Sequence, residues 1–599
     1  MSLPQMTTTR RNLLKFAGGG AAGALLTPAP WRLITDTALW SENWPGIPRP
    51  ARGEIRARFT HCTLCPAGCA VRARCVNGQP VSLAGVKPHP ISHGALCPWG
   101  IAGHHLPYHP ARVRQGPVKE ALAAVSRAIS QRGAGERIAV LDLRPGRTVS
   151  WTYRRAMAAI DDGIYLAPRQ PAYSIDLTEA QTVVSFGAPL SDGWGTPGNV
   201  FAARANFRLV QIEPVETRTA ALADVWLPIR PGTETAMAAA LAGETTIAEA
   251  ARVTGVKEEA IGAVKEAIAS GPAVVLAEDP ASPLMNWNAR LHALGRTVVA
   301  RREAPIPEAW KKAAPVNEMA AAPDRAIRLL LIDESLPGGY VPWQDIQPKL
   351  AADAVVVVFS SSSEGYARHA QYVLPAPVYP EAAEDIGPAI DTVAAVFRIA
   401  APLIAAVVPV VNPGGLVARI AGLPQTDPLR ERADAIHKTG RGMLLSYADG
   451  KSTPMKEVTA DDFWKTLNQG GCWMDSTGKK AAPHGLGRSV TSPTPHDDLP
   501  LMVVAAEVRR GGLESPLMSK LERESNLRMT ANRVVISPAD ARSNGIESGG
   551  RCVLETACGR LSVVATVDAG VPAGVVEVAG GPRMADLCGA SQRARVVRA

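Results

Sequence analysis

Four thiols dominate the chemistry legible in this chain. Cys62, Cys65 and Cys69 lie in His-Cys-Thr-Leu-Cys-Pro-Ala-Gly-Cys, and Cys97 lies in Gly-Ala-Leu-Cys-Pro-Trp-Gly. The spacing Cys-x2-Cys-x3-Cys-x27-Cys packs three thiols into one short loop, with Pro66 and Gly68 as turn formers and the fourth thiol arriving from a distant loop. Four thiolates suit a [4Fe–4S] cluster or a structural zinc. Zinc sites usually pair two short Cys-x2-Cys knuckles, and only one is present, so the pattern favours the cluster over zinc and over disulfides. There is no Cys-x-x-Cys-His, so no c-type haem is expected on this chain. Of the nine cysteines, Cys75, Cys472, Cys552, Cys558 and Cys588 read as structural thiols.

The elements that must position these thiols follow from composition and periodicity. The chain has 599 residues, enough for three to five domains. Hydrophobic residues make up 46% and charged residues 20%, so it should fold. The net charge of +9 is scattered, with no basic run interleaved with aromatics, so nucleic acid is not an expected partner. Residues 118–132 have helical spacing, with Ala121, Val125 and Ile129 on one face. Residues 137–143, 182–187 and 207–214 are apolar, β-branched runs, and strands of this kind alternating with helices imply parallel sheets covered on both faces. Residues 258–270 read as a helix, and the Pro-Ala-Val-Val-Leu and Ile-Arg-Leu-Leu-Leu-Ile-Asp-Glu runs that follow read as strands. Ligands bind at the carboxyl ends of such strands, where Gly187 and Glu213 stand. The last hundred residues alternate short strands with Gly-rich turns, as in a small β-barrel.

The N-terminus reads as an address. Arg10 and Arg11 precede Leu13, Leu14 and Lys15, and a weakly apolar run follows to Leu26. This is similar to a twin-arginine export signal over residues 1–30, and the route carries folded, cofactor-loaded proteins. The run is too short for a span of about 20 residues, and so is 399–411, which is interrupted by Pro402 and Pro409 and suits a buried strand or hairpin.

The cysteine spacing, its place just after such a signal, and the segment Pro-Tyr-His-Pro-Ala-Arg-Val-Arg-Gln-Gly-Pro-Val-Lys resemble the molybdopterin oxidoreductase family. The resemblance implies a multi-domain α/β chain: an iron–sulfur domain over 56–115, two doubly wound α/β lobes over 116–245 and 246–490, and a dinucleotide-binding β-barrel over 500–599. It implies Cys62, Cys65, Cys69 and Cys97 as ligands of one [4Fe–4S] cluster. For a molybdopterin guanine dinucleotide it points to Gly187, Ser191, Glu213, Thr217, Asp224, Gly232, Thr233 and Glu234, then Glu384, and Asp540 in the barrel.

Three departures put molybdenum in question. No cysteine occurs from 98 to 471, where the family's metal ligand lies; Ser150, Asp161, Asp162, Ser174 and Asp176 are the available oxygens. Trp99 stands where the family usually carries a cation between cluster and pterin; Lys87 or another cation must replace it. The chain is also short before the first dinucleotide loop and within the second lobe. These losses resemble the molybdopterin-binding-like subunits of menaquinone reductase complexes and alternative complex III. The expected function is a periplasmic iron–sulfur subunit of a quinone-linked respiratory complex, on the outer face of the cytoplasmic membrane, without molybdenum turnover. The expected partners are a multi-cluster ferredoxin-like subunit, a polytopic membrane subunit with a quinone site, and a multihaem cytochrome c. The alternative is an active molybdenum or tungsten oxidoreductase of the formate, polysulfide/thiosulfate or nitrate type.

Overall fold

The computed structural model describes residues 9–26, 53–191, 193–279, 282–478, 480–486, 499–508, 532–580, 583–584, 587 and 593–599. Cys588 and parts of the expected signal lie outside them. An exposed helix, Arg10–Leu26, carries Arg10 and Arg11 in its first turn. Among the described residues no helix is long and apolar enough to cross a membrane.

The first domain is a three-stranded antiparallel meander of β1 (Ile55–His61), β2 (Ala70–Val76) and β3 (Gln79–Gly85). In β2 the alternation puts Val71, Ala73 and Cys75 inward and Arg72 and Arg74 outward. The first three cysteines occupy the tip joining β1 to β2, where Cys62 N–H donates to Cys69 O at 2.9 Å and continues the ladder. Gly68 adopts φ +55°, and a Cβ there would fall 2.6 Å from Ile386 Cγ2, so only glycine closes this tip.

The α/β body begins with β4 (Arg137–Asp142), the helix Thr148–Ala159 and β5 (Gly163–Leu166). Then come β6 (Tyr173–Ile175), β7 (Thr182–Phe186), β8 (Arg208–Ile212), β9 (Val225–Leu227), β10 (Ala273–Ala277) and β11 (Val298–Ala300). β12 (Ile327–Glu334), β13 (Leu350–Ser360) and β14 (Tyr372–Pro375) complete it. One parallel sheet has the order β10-β7-β8-β9 and the other β14-β13-β12-β4-β5. Every residue of β7 and β10 is buried, as sheets covered on both faces require.

The division of the lobes at 245/246 does not follow the sheets. β4 and β5 leave the first segment and pair with β12, which returns much later in the chain, so the β7–β10 lobe is an insertion within the other. Periodicity identified β4, β7, β8, β10 and β12, but which strand pairs with which is a long-range choice it does not encode.

A mainly antiparallel sheet follows, of β15 (Glu384–Asp385), β16 (Ala395–Ala400), β17 (Met443–Ser446), β18 (Ser452–Pro454) and β19 (Gly471–Asp475), in the order β15-β16-β19-β17-β18. It packs on the cysteine meander through Ala70, Val86, Tyr447 and Cys472. The chain ends in a closed barrel of β20 (Leu501–Val508), β21 (Arg533–Ile536), β22 (Arg551–Thr556), β23 (Gly559–Val567), β24 (Val575–Gly580) and β25 (Arg593–Arg598). Val215, just beyond β8, packs with Val535, Val571 and Val575 of the barrel domain.

Candidate functional site

The fold brings the second cysteine loop onto the first. Cys97 precedes the short helix Pro98–Ala102, and Cys97 O accepts from Ile101 N–H at 3.0 Å. A Cβ on Gly100 of that helix would lie 3.5 Å from Cys62 Sγ. Cys62 and Cys69 are buried, while Cys65 and Cys97 are half-buried. Burial pushes the Cys62 thiol well above its ordinary range, and Cys65, Cys69 and Cys97 each add to the rise. Burial, with Cys65 and Cys97 behind it, pushes Cys69 up to about 12, while Arg398 works the other way. Cys97 is raised by burial and by Cys65, against hydrogen bonding from the Gly100 and Trp99 backbone. Cys62, Cys69 and Cys97, whose ionisation burial and neighbouring thiols disfavour, form with Cys65 a site that a cationic metal centre stabilises, with loss of protons on binding.

Behind this tip lies a second group, of which the sequence marked only Glu384. Arg144 follows β4 and is buried; its guanidinium donates to Thr63 O and, at 2.8 Å, to Cys65 O, spanning the Cys-x2-Cys turn. Arg147, three residues on, is 1% exposed and pairs with Asp333 at 2.7 Å, Asp142 at 3.2 Å and Glu384 at 3.4 Å. Tyr153 donates to Asp333 at 2.9 Å and Tyr165 to Asp142 at 2.8 Å. Burial works against the charge of Asp333, yet Arg147 and Ser335 hold it below the usual carboxylate range. Burial pushes Glu384 up to about 7 even though Arg147 pulls against it. These carboxylates stand at the carboxyl ends of β4 and β12 and at the start of β15, on the crest where a ligand of this sheet would sit. The signal for them was present: Asp142-Leu-Arg-Pro-Gly-Arg147 puts a carboxylate and two arginines directly after a strand.

At the crest of the other sheet the structure gathers Gly187, Ser191, Glu213 and Thr217. Gly187 adopts φ +70° after β7, facing Glu213 and Glu278. Thr217 donates to Glu213, and Ser191 Oγ shares a hydrogen bond with Thr219 at 2.9 Å. Burial raises the Glu213 carboxyl, Thr217 and Gln211 oppose this, and Glu278 adds to the rise. Gly232 lies against the barrel, where its Cβ would meet Met502 Cε at 3.1 Å, and the Gly232–Glu234 turn closes on itself through Thr233 to Arg230 O and Gly232 N–H to Glu234. The remaining positions stand apart. Asp224 accepts from Leu209 N–H at 2.7 Å and pairs with Arg204, a structural clasp at the edge of the sheet. Glu384 belongs to the Arg147 group on the other crest. Asp540 accepts from Ser537 at 2.7 Å and from Gly574 N–H at 2.9 Å, closing the turn before β24.

The comparisons with known proteins agree with this anatomy at both ends of the chain. Residues 56–109 match the molybdopterin oxidoreductase Fe4S4 domain and residues 517–592 the molybdopterin dinucleotide binding domain. Both matched domains are those of molybdopterin oxidoreductases. The chain is 31% identical over 274 residues to the menaquinone reductase molybdopterin-binding-like subunit of Nitratidesulfovibrio vulgaris, covering 40% of each chain. It is 25% identical over 232 residues to a sulfite dehydrogenase subunit of Allochromatium vinosum, covering 32% of this chain and 24% of that one. Both matches span less than half of the relatives' own length. The fold is similar to that of acetylene hydratase from Pelobacter acetylenicus, with a TM-score of 0.65, 15% identity, and 90% and 96% of the two chains covered.

The family's cofactors can be tested against the residues present. Four clustered thiols fit a [4Fe–4S] centre. The Gly187–Glu213–Thr217 crest fits the hydroxyls of one nucleotide sugar, since a strand-end carboxylate accepts from them. The Arg147 crest does not fit a second dinucleotide. Three carboxylates share one guanidinium there, and Arg144 is committed to the cysteine loop, so an entering pyrophosphate would meet net negative charge.

Of the oxygens weighed as metal ligands, Asp161 is 97% exposed, Asp162 pairs with Arg137 at 3.0 Å, and Asp176 pairs with Lys480 at 2.8 Å. Ser150 accepts from Arg147 N–H, and Ser174 Oγ is buried in β6 with no hydrogen-bond partner among the described residues. Among the described residues none of the five shares a hydrogen bond or ion pair with the cysteine loops. Lys87, a candidate replacement cation, is exposed.

Proposed function

We propose that this chain is a periplasmic electron-transfer subunit of a membrane-associated, quinone-linked complex, with one [4Fe–4S] cluster on Cys62, Cys65, Cys69 and Cys97 and no molybdenum turnover of its own. The observation that carries this reading is the Arg147 crest, where three carboxylates gather round one buried guanidinium and leave a net negative charge that disfavours a second pyrophosphate. The similarity to a menaquinone reductase subunit supports the quinone link. In this reading Cys65 and Cys97, the two less buried thiols, face the direction of electron exchange with a partner. The partners are a multi-cluster iron–sulfur protein and a polytopic membrane protein.

Affinity purification of the intact complex through this chain, from membranes solubilised in mild detergent, tests the assembly. The expected result is co-purification of an iron–sulfur protein and a polytopic membrane protein, with quinone-dependent redox turnover of the complex. A chain that purifies alone and turns over a small oxidisable or reducible substrate with molybdenum overturns the reading.

The export route gives an independent prediction. Arg10→Lys with Arg11→Lys keeps the charge of the exposed first turn but removes the receptor's motif. Fractionation is expected to find the wild type outside the cytoplasm and the double variant, with its cluster, inside. Normal export of the double variant would show that another signal is in use.

A further inference from the structure

The cysteine tip is held by a second buried arginine with no counter-ion of its own. Arg398 lies mid-strand in β16, is 0% exposed, and reaches Gly68: a Cβ on that glycine would lie 2.8 Å from Arg398 Cζ. Among the described residues its one hydrogen bond is a long one from Nη2 to Gly387 O at 3.4 Å, and Nε and Nη1 have no partner. Among the described residues it forms no ion pair.

None of the groups facing it forms an ion pair with it. His61 is held between Ile399 O at 3.0 Å and the Tyr447 hydroxyl at 2.6 Å. His89 is driven well below its ordinary range by burial, then by His61 and Arg398. Burial keeps the Tyr447 hydroxyl and the Cys472 thiol protonated, the latter pushed up to about 11. The Asp391 charge favours the guanidinium from a distance, but its carboxylate is bound to Thr196 N–H at 2.9 Å and to Asn199 at 3.1 Å and makes no ion pair with Arg398 among the described residues. An unpaired guanidinium in a dry interior costs several kcal/mol, so a fold that keeps one must present it to an anion.

A four-thiolate iron–sulfur cluster is such an anion: it is net negative when oxidised and gains one more charge on reduction. We propose that Arg398 and Arg144 flank the cluster as a pair of fixed cations, replacing the charge that Trp99 cannot supply, and raise its reduction potential by stabilising the reduced form. Arg144 approaches through the Cys-x2-Cys carbonyls and Arg398 through Gly68 beside Cys69, so the two come from different sheets onto the same tip. Arg144 is a positioning residue as well as a charge, since it orders the turn; Arg398 makes no such bonds and acts by charge.

The inference rests on the cluster reading of the four thiols, and its test separates the two. Holoprotein matured in the cytoplasm is titrated potentiometrically, with the reduced cluster followed by electron paramagnetic resonance and iron measured in parallel. Arg398→Gln is expected to lower the midpoint, shifting the reduced-to-oxidised ratio at the wild-type midpoint about tenfold, which is 59 mV for one electron. Arg398→Lys is expected to stay near wild type, and Arg144→Gln to fall in the same direction. Iron lost from Arg398→Gln but kept, with its potential, in Arg398→Lys also supports a charge role. A full-iron Arg398→Gln with an unmoved midpoint overturns the proposal, and so does equal iron loss in the Gln and Lys variants, which would make the role one of packing. Wild-type protein without iron would instead refute the cluster reading itself.

Discussion

Cys97→Ser will strip most of the iron from this protein while leaving the chain folded. The hairpin tip supplies three thiols, but the fourth comes from a separate loop anchored by its own helix, with Cys97 O held by Ile101 N–H. A serine hydroxyl stays protonated at neutral pH, where a thiol near a metal gives up its proton, so the variant offers no anionic fourth ligand. Cys97 is half-buried, and the substitution removes no core packing, so circular dichroism is expected to be unchanged. Iron per chain and the low-temperature paramagnetic signal of the reduced protein measure the loss. Full iron in the variant would remove Cys97 from the ligand set and with it the cluster assignment.

Arg147→Met will be among the most destabilising single changes available. It leaves Asp142 and Asp333, both buried, with tyrosine hydroxyls and backbone but no cation. Removing one partner of a buried ionic group costs about 3–5 kcal/mol. Thermal unfolding monitored by calorimetry is expected to show the transition of the β12–β4 sheet shifted down, and an unchanged trace would contradict the hub. The same group has a pH signature. The Glu384 carboxyl is raised from 4.5 to about 7, so between those values the folded chain holds a proton that the unfolded chain has released. Stability from this group is present below the ordinary carboxylate range and is lost as pH rises through about 7. Glu384→Gln, which mimics the protonated form, is expected to flatten that slope.

Much of this molecule was legible as a sequence because its signals are local. The four candidate thiols were marked by spacing, the strands β4, β7, β8, β10 and β12 by apolar β-branched runs, and the barrel by strands alternating with Gly-rich turns. What was not legible depends on partners far apart in the chain. Nothing near Arg137 announces that it starts a strand beside Ile327, so the lobes were divided at the wrong place. Arg144 meets Cys65 across 79 residues, and Arg398 meets Gly68 from the middle of an ordinary-looking buried strand. The Asp142–Arg147 loop reads as a turn when only oxygen ligands for a metal are sought, although its charges so close behind a strand were the available cue. Glu384 and Asp540 were marked by resemblance alone; Glu384 pairs with Arg147, and Asp540 accepts from Ser537 and from Gly574 N–H.

The central claim, a cluster-bearing chain whose second pterin crest carries its own opposing charges, is tested most directly by elemental analysis of the full chain purified from a host that matures molybdenum enzymes. The expected result is about four iron atoms per chain without stoichiometric molybdenum or tungsten. Molybdenum or tungsten at one atom per chain would contradict the account, and zinc in place of iron would replace the cluster with a structural metal.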